Sequence, residues 1–328
     1  REAYHELVDQ VALVLEGRPT LRRDHPEPRR RAGECLIEVV MAGICDTDLA
    51  LAAGYLAFHG VLGHEFVGVV READDARWVG RRVVAEINAG CGHCADCRDH
   101  DGHHCASRTV LGIAGRDGVL AERCVAPEAC LVAVPDALPD EVAVFAEPLA
   151  AALHVLDVPA VAESDRAVVI GDGKLGLLVA LALRAADKAV TVIGHHPEKL
   201  ALAAARGATT LLEADAAALE RSPVVVEATG APAGLARAVA LTRPRGTLVL
   251  KTTIAGPAPL PLASAVVDEL TLVGSRCGRL PRALAALAEG SIDPTPLVSA
   301  RYPLAEAERA LAHAARREAL KVLVHAAR

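Results

Sequence analysis

The chain has 328 residues, 52% of them hydrophobic, with a formal net charge of -7. That length accommodates two domains of ordinary size, and the apolar content excludes a disordered chain. The acidic balance argues against a nucleic-acid partner, and no apolar run approaches the ~20 residues that a membrane helix requires. No apolar leader follows Arg1-Glu2-Ala3-Tyr4-His5, so no secretory signal is expected, and nine cysteines then fit a reducing, cytoplasmic setting.

The first 150 residues read as short β segments, at 35–40, 66–70 and 82–86, punctuated by Gly and Pro. The run Pro28-Arg29-Arg30-Arg31 reads as a solvated turn between strands. Cys35, Cys124 and Cys130 lie in alternating apolar stretches and read as core. A different pattern follows at CGHCADCRDHDGHHC, where Cys91, Cys94, Cys97 and Cys105 are spaced C-x2-C-x2-C-x7-C. This polar, glycine-containing loop has no apolar core of its own, and four thiolates around a tetrahedral Zn²⁺ would supply the missing stabilisation. An iron–sulfur cluster of the bacterial ferredoxin type wants a shorter final spacer and a proline after the last cysteine, whereas Ala106 follows Cys105. The loop is therefore read as a structural zinc site. The nearby segment Leu111-Gly112-Ile113-Ala114-Gly115-Arg116-Asp117-Gly118 reads as a loop at the rim of a site.

Near Glu147 the texture changes. Strands at 167–170, 190–193, 224–227 and 247–250 alternate with Ala/Leu-rich helices at about 174–186 and 197–206, which indicates a parallel sheet covered on both faces. Between the first of these strands and its helix stands Gly171-Asp172-Gly173-Lys174-Leu175-Gly176, a G-x-G-x-x-G. In that context Gly171 permits a tight turn, Gly173 admits a pyrophosphate to the backbone, and Gly176 lets helix and strand pack closely. The helix N-terminus, from Lys174 and Leu175 onward, offers free N–H groups to the phosphates. The second strand should end on an acidic residue that binds the adenosine ribose of NAD. Here that position is Gly194, followed by His195, His196 and Lys199. Loss of the carboxylate and gain of three potential phosphate donors predict NADP(H) over NAD(H), with NAD the alternative. Thr229, Lys251-Thr252-Thr253, Ser275 and Arg276 end later strands, where open α/β sheets bind ligands, and are expected near the nicotinamide half. After about Pro281 the chain reads as helix, loop, an amphipathic helix over 304–316 and a terminal strand at 321–324.

With the cysteine loop and the glycine fingerprint in place, Gly43-Ile44-Cys45-Asp46-Thr47-Asp48, Gly63-His64-Glu65 and Glu147-Pro148-Leu149-Ala150 complete an ordered set. Together they resemble the zinc-dependent medium-chain alcohol dehydrogenases over nearly the whole chain, and in particular the sorbitol-, threonine- and sugar-dehydrogenase branches. The resemblance implies an α/β protein: a Rossmann-type parallel-sheet domain (151–280) plus a β-rich GroES-like catalytic domain (1–150) carrying a structural-zinc lobe (88–107). A C-terminal segment (281–328) would return to the catalytic domain. It further implies Cys45 and His64 as ligands of a second, catalytic zinc, with Glu65 or Glu147 completing the set directly or through water. Thr47 is placed like the family's proton-relaying hydroxyl. Many members carry a histidine five residues after the ligand cysteine; Ala50 stands there, leaving His59 or solvent to take the proton. Two zincs per chain, a small alcohol or carbonyl substrate, and a homodimer or homotetramer complete the expectation.

The chemistry follows from charge. Hydride leaves an alkoxide far more readily than an alcohol, and zinc lowers the pKa of bound water from about 15.7 to about 7, or roughly 12 kcal/mol. Neutral hydrogen bonds contribute only ~1 kcal/mol each. Hydride transfer between a secondary alcohol (polyol-, sugar- or amino-alcohol-like) and NAD(P) is the leading expectation. A zinc-free quinone or enoyl reductase on the same fold, or a non-catalytic dinucleotide-binding protein with structural zinc alone, are the alternatives, and the number of zincs per chain separates the three.

Overall fold

The computed structural model describes residues 9–99, 102–251, 253 and 258–326; Thr252 lies outside them. The chain forms two compact units, Arg1–Glu147 with Val298–Arg328, and Pro148–Leu297.

A seven-stranded sheet organises the first unit. Its longest strand, Glu34–Ile44, pairs antiparallel with Glu65–Glu72 along one side. Along the other side it pairs with Arg123–Pro127 and then with Lys321–His325. Arg123–Pro127 buries alternate residues, Cys124 and Ala126, as a strand with one face on a core must. Cys35 and Cys130 are buried as well. In the turn before Glu34, Arg30 is pinned to Asp74 at 2.5 Å. A separate three-stranded sheet, Asn88–Ala89, Thr109–Leu111 and Gly115–Arg116, brackets the four-cysteine loop.

The second unit holds a six-stranded, wholly parallel sheet in the spatial order Thr209–Leu212, Ala189–Gly194, Arg166–Ile170, Ser222–Glu227, Thr242–Leu250 and Thr271–Gly274. This is the Rossmann order, with the reversal of chain direction across the sheet at Arg166–Ile170 and Ser222–Glu227. The near-continuous Val/Ile runs follow from burial on both faces. On one face Leu235, Ala238, Val239 and Leu241 of the helix Pro232–Leu241 pack on Val168, Ile170, Val225 and Leu248.

Three boundaries differ from those read in the sequence, the first being the change of unit after Glu147 rather than after 150. The helix Leu280–Ala288 stays with the second unit rather than returning with the C-terminal segment, which begins at Val298. Gly278 explains this: a Cβ there would lie 2.0 Å from the Ala150 carbonyl oxygen, and Arg282 bonds to Asp157 at 2.7 Å. The expected helix over 304–316 splits into a 3-10 turn, Leu304–Glu306, and a helix, Ala307–Ala314.

The segment 111–118 clamps residues 61–63, directly before His64. Val61 N donates to Asp117 Oδ1 at 2.9 Å, and Gly118 N donates to the Val61 carbonyl at 2.8 Å. A Cβ on Gly112 would stand 2.1 Å from the Gly63 carbonyl oxygen, and one on Gly118 2.2 Å from it. Gly112 also has φ +64°, a conformation that costs other residues strain. Gly112→Ala should therefore lower the unfolding free energy by more than ~2 kcal/mol. Chemical denaturation checks this, and an alanine variant as stable as the parent would contradict the close approach.

Candidate functional site

The four cysteines of the lobe converge, their sulfurs all lying within 4.8 Å of one another. Cys94 and Cys97 sulfurs are 3.5 Å apart and those of Cys91 and Cys97 3.9 Å. Disulfides are far shorter, and a tetrahedron with ~2.3 Å metal–sulfur bonds has edges of about 3.8 Å. Backbone N–H groups already point at the sulfurs, Gly92 to Cys97 at 3.3 Å and Cys91 to Cys105 at 3.5 Å. The N–H groups of His93 and Cys94 pull the Cys91 thiol down to about 6. Gly90 makes room for the cluster, since a Cβ there would meet the Cys97 sulfur at 2.6 Å. The donor set fits a closed S₄ zinc site.

A second group gathers in the first unit. Cys45 precedes the helix Asp46–Ala52, and His64 immediately precedes the strand Glu65–Glu72, which pairs Glu65 with Gly43. One donor atom from each of Cys45, His64 and Glu65 lies within 4.8 Å of the others. His64 and Glu65 are 3% and 1% exposed, too deep for two polar side chains without partners. Their partners come from residues that the sequence did not single out. Asp48, fully buried, accepts from Cys45 N at 2.8 Å and Gly63 N at 3.2 Å, and its Oδ1 lies 3.3 Å from His64 Nδ1. Desolvation alone would raise the Asp48 carboxyl; His64 and the two N–H bonds hold it below its ordinary range. Burial would likewise strip a proton from His64, but Asp48 and Cys45 hold that imidazole well above its usual range in the metal-free chain.

Glu65 Oε2 is ion-paired with Lys321 Nζ, both side chains 1% exposed, while Glu65 Oε1 has no hydrogen-bond partner. Gly43 permits this, because a Cβ there would meet Glu65 Oε2 at 2.4 Å. The arrangement offers sulfur, nitrogen and oxygen donors in one place, with an unsatisfied buried oxygen among them, which fits a catalytic zinc. Thr47 Oγ1 lies 3.8 Å from Cys45 Sγ. Glu147, on the helix Ala146–Leu153, lies outside the 4.8 Å group. Burial pushes its carboxyl up to about 7, Glu65 adding to the rise while His64 and Lys321 oppose it. Ala50 lies on the helix after Cys45, and His59 is exposed.

In the second unit the glycine fingerprint adopts the required geometry. Gly171 has φ +116°, Gly176 packs so closely that a Cβ would lie 2.1 Å from the Gly171 carbonyl oxygen, and a Cβ on Gly173 would meet nothing within 4 Å. That open space precedes the N-terminus of the helix Lys174–Ala185, which fits a pyrophosphate. Lys174 is buried, and Leu175 half-buried. Thr229 N bonds Glu227 Oε1 at 2.7 Å. Lys251 Nζ bonds Ser275 O at 3.1 Å, Ser275 Oγ at 3.3 Å and Arg276 O at 2.5 Å, so this lysine ties two strand ends together. The Arg276 side chain is exposed.

The end of the second strand departs from expectation. Gly194 does not leave a vacant position, since a Cβ there would meet Asp172 Cβ, Cγ and Oδ2, each at 2.5 Å. Asp172 Oδ2 accepts from His195 N at 2.8 Å, His196 N at 2.7 Å and His196 Nδ1 at 3.0 Å. Desolvation opposes ionisation there, and those donors nonetheless hold the Asp172 carboxyl below its ordinary range. His196 is thus occupied by a carboxylate, Lys199 is 6% exposed, and His195 alone of the three is exposed. The strand end is therefore not stripped of a carboxylate, as the expectation of NADP(H) assumed, while His195 remains an exposed donor beside it.

Removing the ammonium opposite Glu65 tests the second group. Lys321→Met leaves a buried carboxylate unpaired, and losing one partner of such a pair costs roughly 3–5 kcal/mol. A bound cation would compensate part of that charge. Urea unfolding should therefore show a loss of that size in chelator-stripped protein and a smaller one in zinc-loaded protein. Equal losses in both forms would contradict a shared electrostatic site.

Comparison with known proteins gives the family. Residues 31–136 match the alcohol dehydrogenase GroES-like domain and residues 175–289 the zinc-binding dehydrogenase domain. The chain is 30% identical over 319 residues to an erythritol/L-threitol dehydrogenase of Mycolicibacterium smegmatis, covering 87% of this chain and 88% of that protein. Two solved structures superpose with TM-scores of 0.87. One, described as a short-chain alcohol dehydrogenase of Escherichia coli CFT073 complexed with NADH, is 26% identical and covers 97% of this chain and 100% of its own. The other, a zinc-binding dehydrogenase of Sinorhizobium meliloti 1021 bound to NADP, is 27% identical with the same coverage. By sequence, by fold and by its ordered motifs, the chain belongs to the zinc-dependent medium-chain alcohol dehydrogenase family.

Proposed function

We propose that this NAD(P)-dependent oxidoreductase interconverts a small polyol-like secondary alcohol and its ketone, with Cys45, His64 and Glu65 holding a catalytic zinc and Cys91, Cys94, Cys97 and Cys105 a structural one. The observation that carries the reading is the convergence of one sulfur, one nitrogen and one oxygen donor within 4.8 Å in a buried setting. When bound, zinc supplies the Lewis acidity that lets a secondary hydroxyl shed its proton near neutral pH, and the nicotinamide accepts the hydride.

The chain's own residues set the charge and the proton path. The Cys45 thiolate and Glu65 carboxylate carry two negative charges, which balance a divalent cation. The Lys321 ammonium offsets the buried Asp48 carboxylate behind His64, which keeps the assembly with a bound divalent cation from turning net negative and so from opposing a deprotonated substrate oxygen. Glu65 Oε1, without a hydrogen-bond partner, is the oxygen offered to the metal, while Lys321 holds Oε2. Asp48 Oδ1, 3.3 Å from His64 Nδ1 without an aligned hydrogen bond, attracts the ring by charge and leaves its other nitrogen for coordination. Thr47 Oγ1 accepts the substrate proton as its own hydroxyl proton passes to water, since Ala50 stands in place of a relay histidine. Glu147 lines the site as a carboxyl that burial keeps readily protonated.

A polyol-type substrate is supported by the resemblance of the Cys45, His64-Glu65 and Glu147 segments to the sorbitol-, threonine- and sugar-dehydrogenase branches and by the erythritol/L-threitol dehydrogenase relative. The nine free cysteines support a reducing compartment such as the cytoplasm. A homodimer or homotetramer belongs to the same reading, supported by Leu262, Val266 and Val267, which stand 64%, 68% and 80% exposed on one short helix.

The two metal groups should respond oppositely to substitution. Cys45→Ser or His64→Ala should lower the zinc content from two per chain to one and abolish polyol oxidation, with the thermal unfolding midpoint nearly unchanged. Cys94→Ser removes a site of the kind that contributes ~10–16 kcal/mol to folding in small zinc peptides, so that variant should misfold or aggregate. Metal analysis with turnover on a polyol panel reads both. Full activity in His64→Ala, or a stable and active Cys94→Ser enzyme, would overturn the assignment.

A further inference from the structure

Gly194 ends the strand Ala189–Gly194, 23 positions after Gly171, where a Rossmann fold ordinarily carries the acidic residue that binds the adenosine ribose. The strand carries no such side chain, yet a carboxylate is there. Asp172 Oδ2 sits 2.5 Å from the point a residue-194 Cβ would occupy, comparable to the reach of an aspartyl group from its own Cβ. We infer that Asp172, borne on the glycine loop, replaces the missing strand-end acid, binds the ribose hydroxyls, and makes this dehydrogenase selective for NAD(H). The inference rests on the dinucleotide reading above and adds to it the choice of cofactor, which the NADH- and NADP-bound relatives of equal similarity leave open.

Three features carry it. The carboxylate is anchored, because two backbone N–H groups and the His196 ring all bond Oδ2. None of those bonds engages Oδ1, which leaves an acceptor oxygen for ribose hydroxyls. Of the three residues that could pair with a 2′-phosphate, His196 Nδ1 serves Asp172 and Lys199 is buried, which leaves only the exposed His195 ring. A phosphate at this place would therefore face a fixed negative charge. A second carboxylate introduced at Gly194 would collide with the first, so Gly194→Asp does not strengthen NAD binding in this chain.

The test is binding, independent of turnover and of the catalytic metal. Dissociation constants for NADH and NADPH come from ligand fluorescence, and those for ADP-ribose and its 2′-phosphate from calorimetry. The parent should prefer NADH, and ADP-ribose over its phosphate, by about tenfold or more, the size of a charge-assisted hydrogen bond. Asp172→Asn keeps the shape and an acceptor for the His195 and His196 N–H groups. It should weaken NADH about tenfold while leaving NADPH unchanged or tighter. In Asp172→Ser/Gly194→Asp the carboxylate moves to the strand end, and NADH preference should return. Equal parent affinities, or parallel changes for both cofactors in Asp172→Asn, would overturn the role of Asp172 alone. Failure of the parent to bind either cofactor or ADP-ribose would overturn the dinucleotide reading itself.

Discussion

The buried ion pair between Glu65 and Lys321 is the constraint on which the candidate catalytic site depends. Each charge loses nearly all contact with water, at a cost of several kcal/mol per ion that only close pairing offsets. The partners lie 256 positions apart in sequence, Glu65 at the head of one strand and Lys321 at the head of the terminal one. Both strands flank the same end of Glu34–Ile44, where Gly43 leaves room for the carboxylate to cross. The site is therefore completed only when the C-terminal strand has docked.

The two metal groups are supported in contrasting ways. The cysteine lobe draws its ligands from 15 consecutive residues and its N–H···S bonds from the same loop. Its support is local, and in the proposed reading a bound metal would stand in for an apolar core. The Cys45, His64 and Glu65 group instead borrows from a helix cap, a glycine clamp and a distant strand, so its donors are held by the fold before any ion arrives. Preorganisation of that kind suits a site whose ligand set leaves a position open.

What could be read in the sequence tracks sequence distance. The cysteine spacing, the glycine fingerprint and the strand–helix alternation are local patterns with local physical causes, and the structure carries each of them. Asp48 was legible in principle, as an acid three residues past Cys45 at a helix start, where a carboxylate caps free N–H groups. Lys321 was not, because a lysine opening Lys321-Val322-Leu323-Val324 looks like an ordinary strand end until register sets it beside Glu65. Asp172 stands at a variable position of the fingerprint, and its crossing to Gly194 depends on packing between two parallel strands. The return point at Val298 was hidden for a similar reason, since the contact of Gly278 with Ala150 fixes the preceding helix to the second unit.

The central claim is that this chain holds two metal sites of different chemistry, one all sulfur and one of mixed donors. Zinc K-edge X-ray absorption on the zinc-loaded protein measures the average donor set directly. Four sulfurs in one site and one in the other predict about 2.5 sulfur and about 1.5 nitrogen or oxygen neighbours per four-coordinate zinc. An average shell of four sulfurs per zinc would contradict the claim.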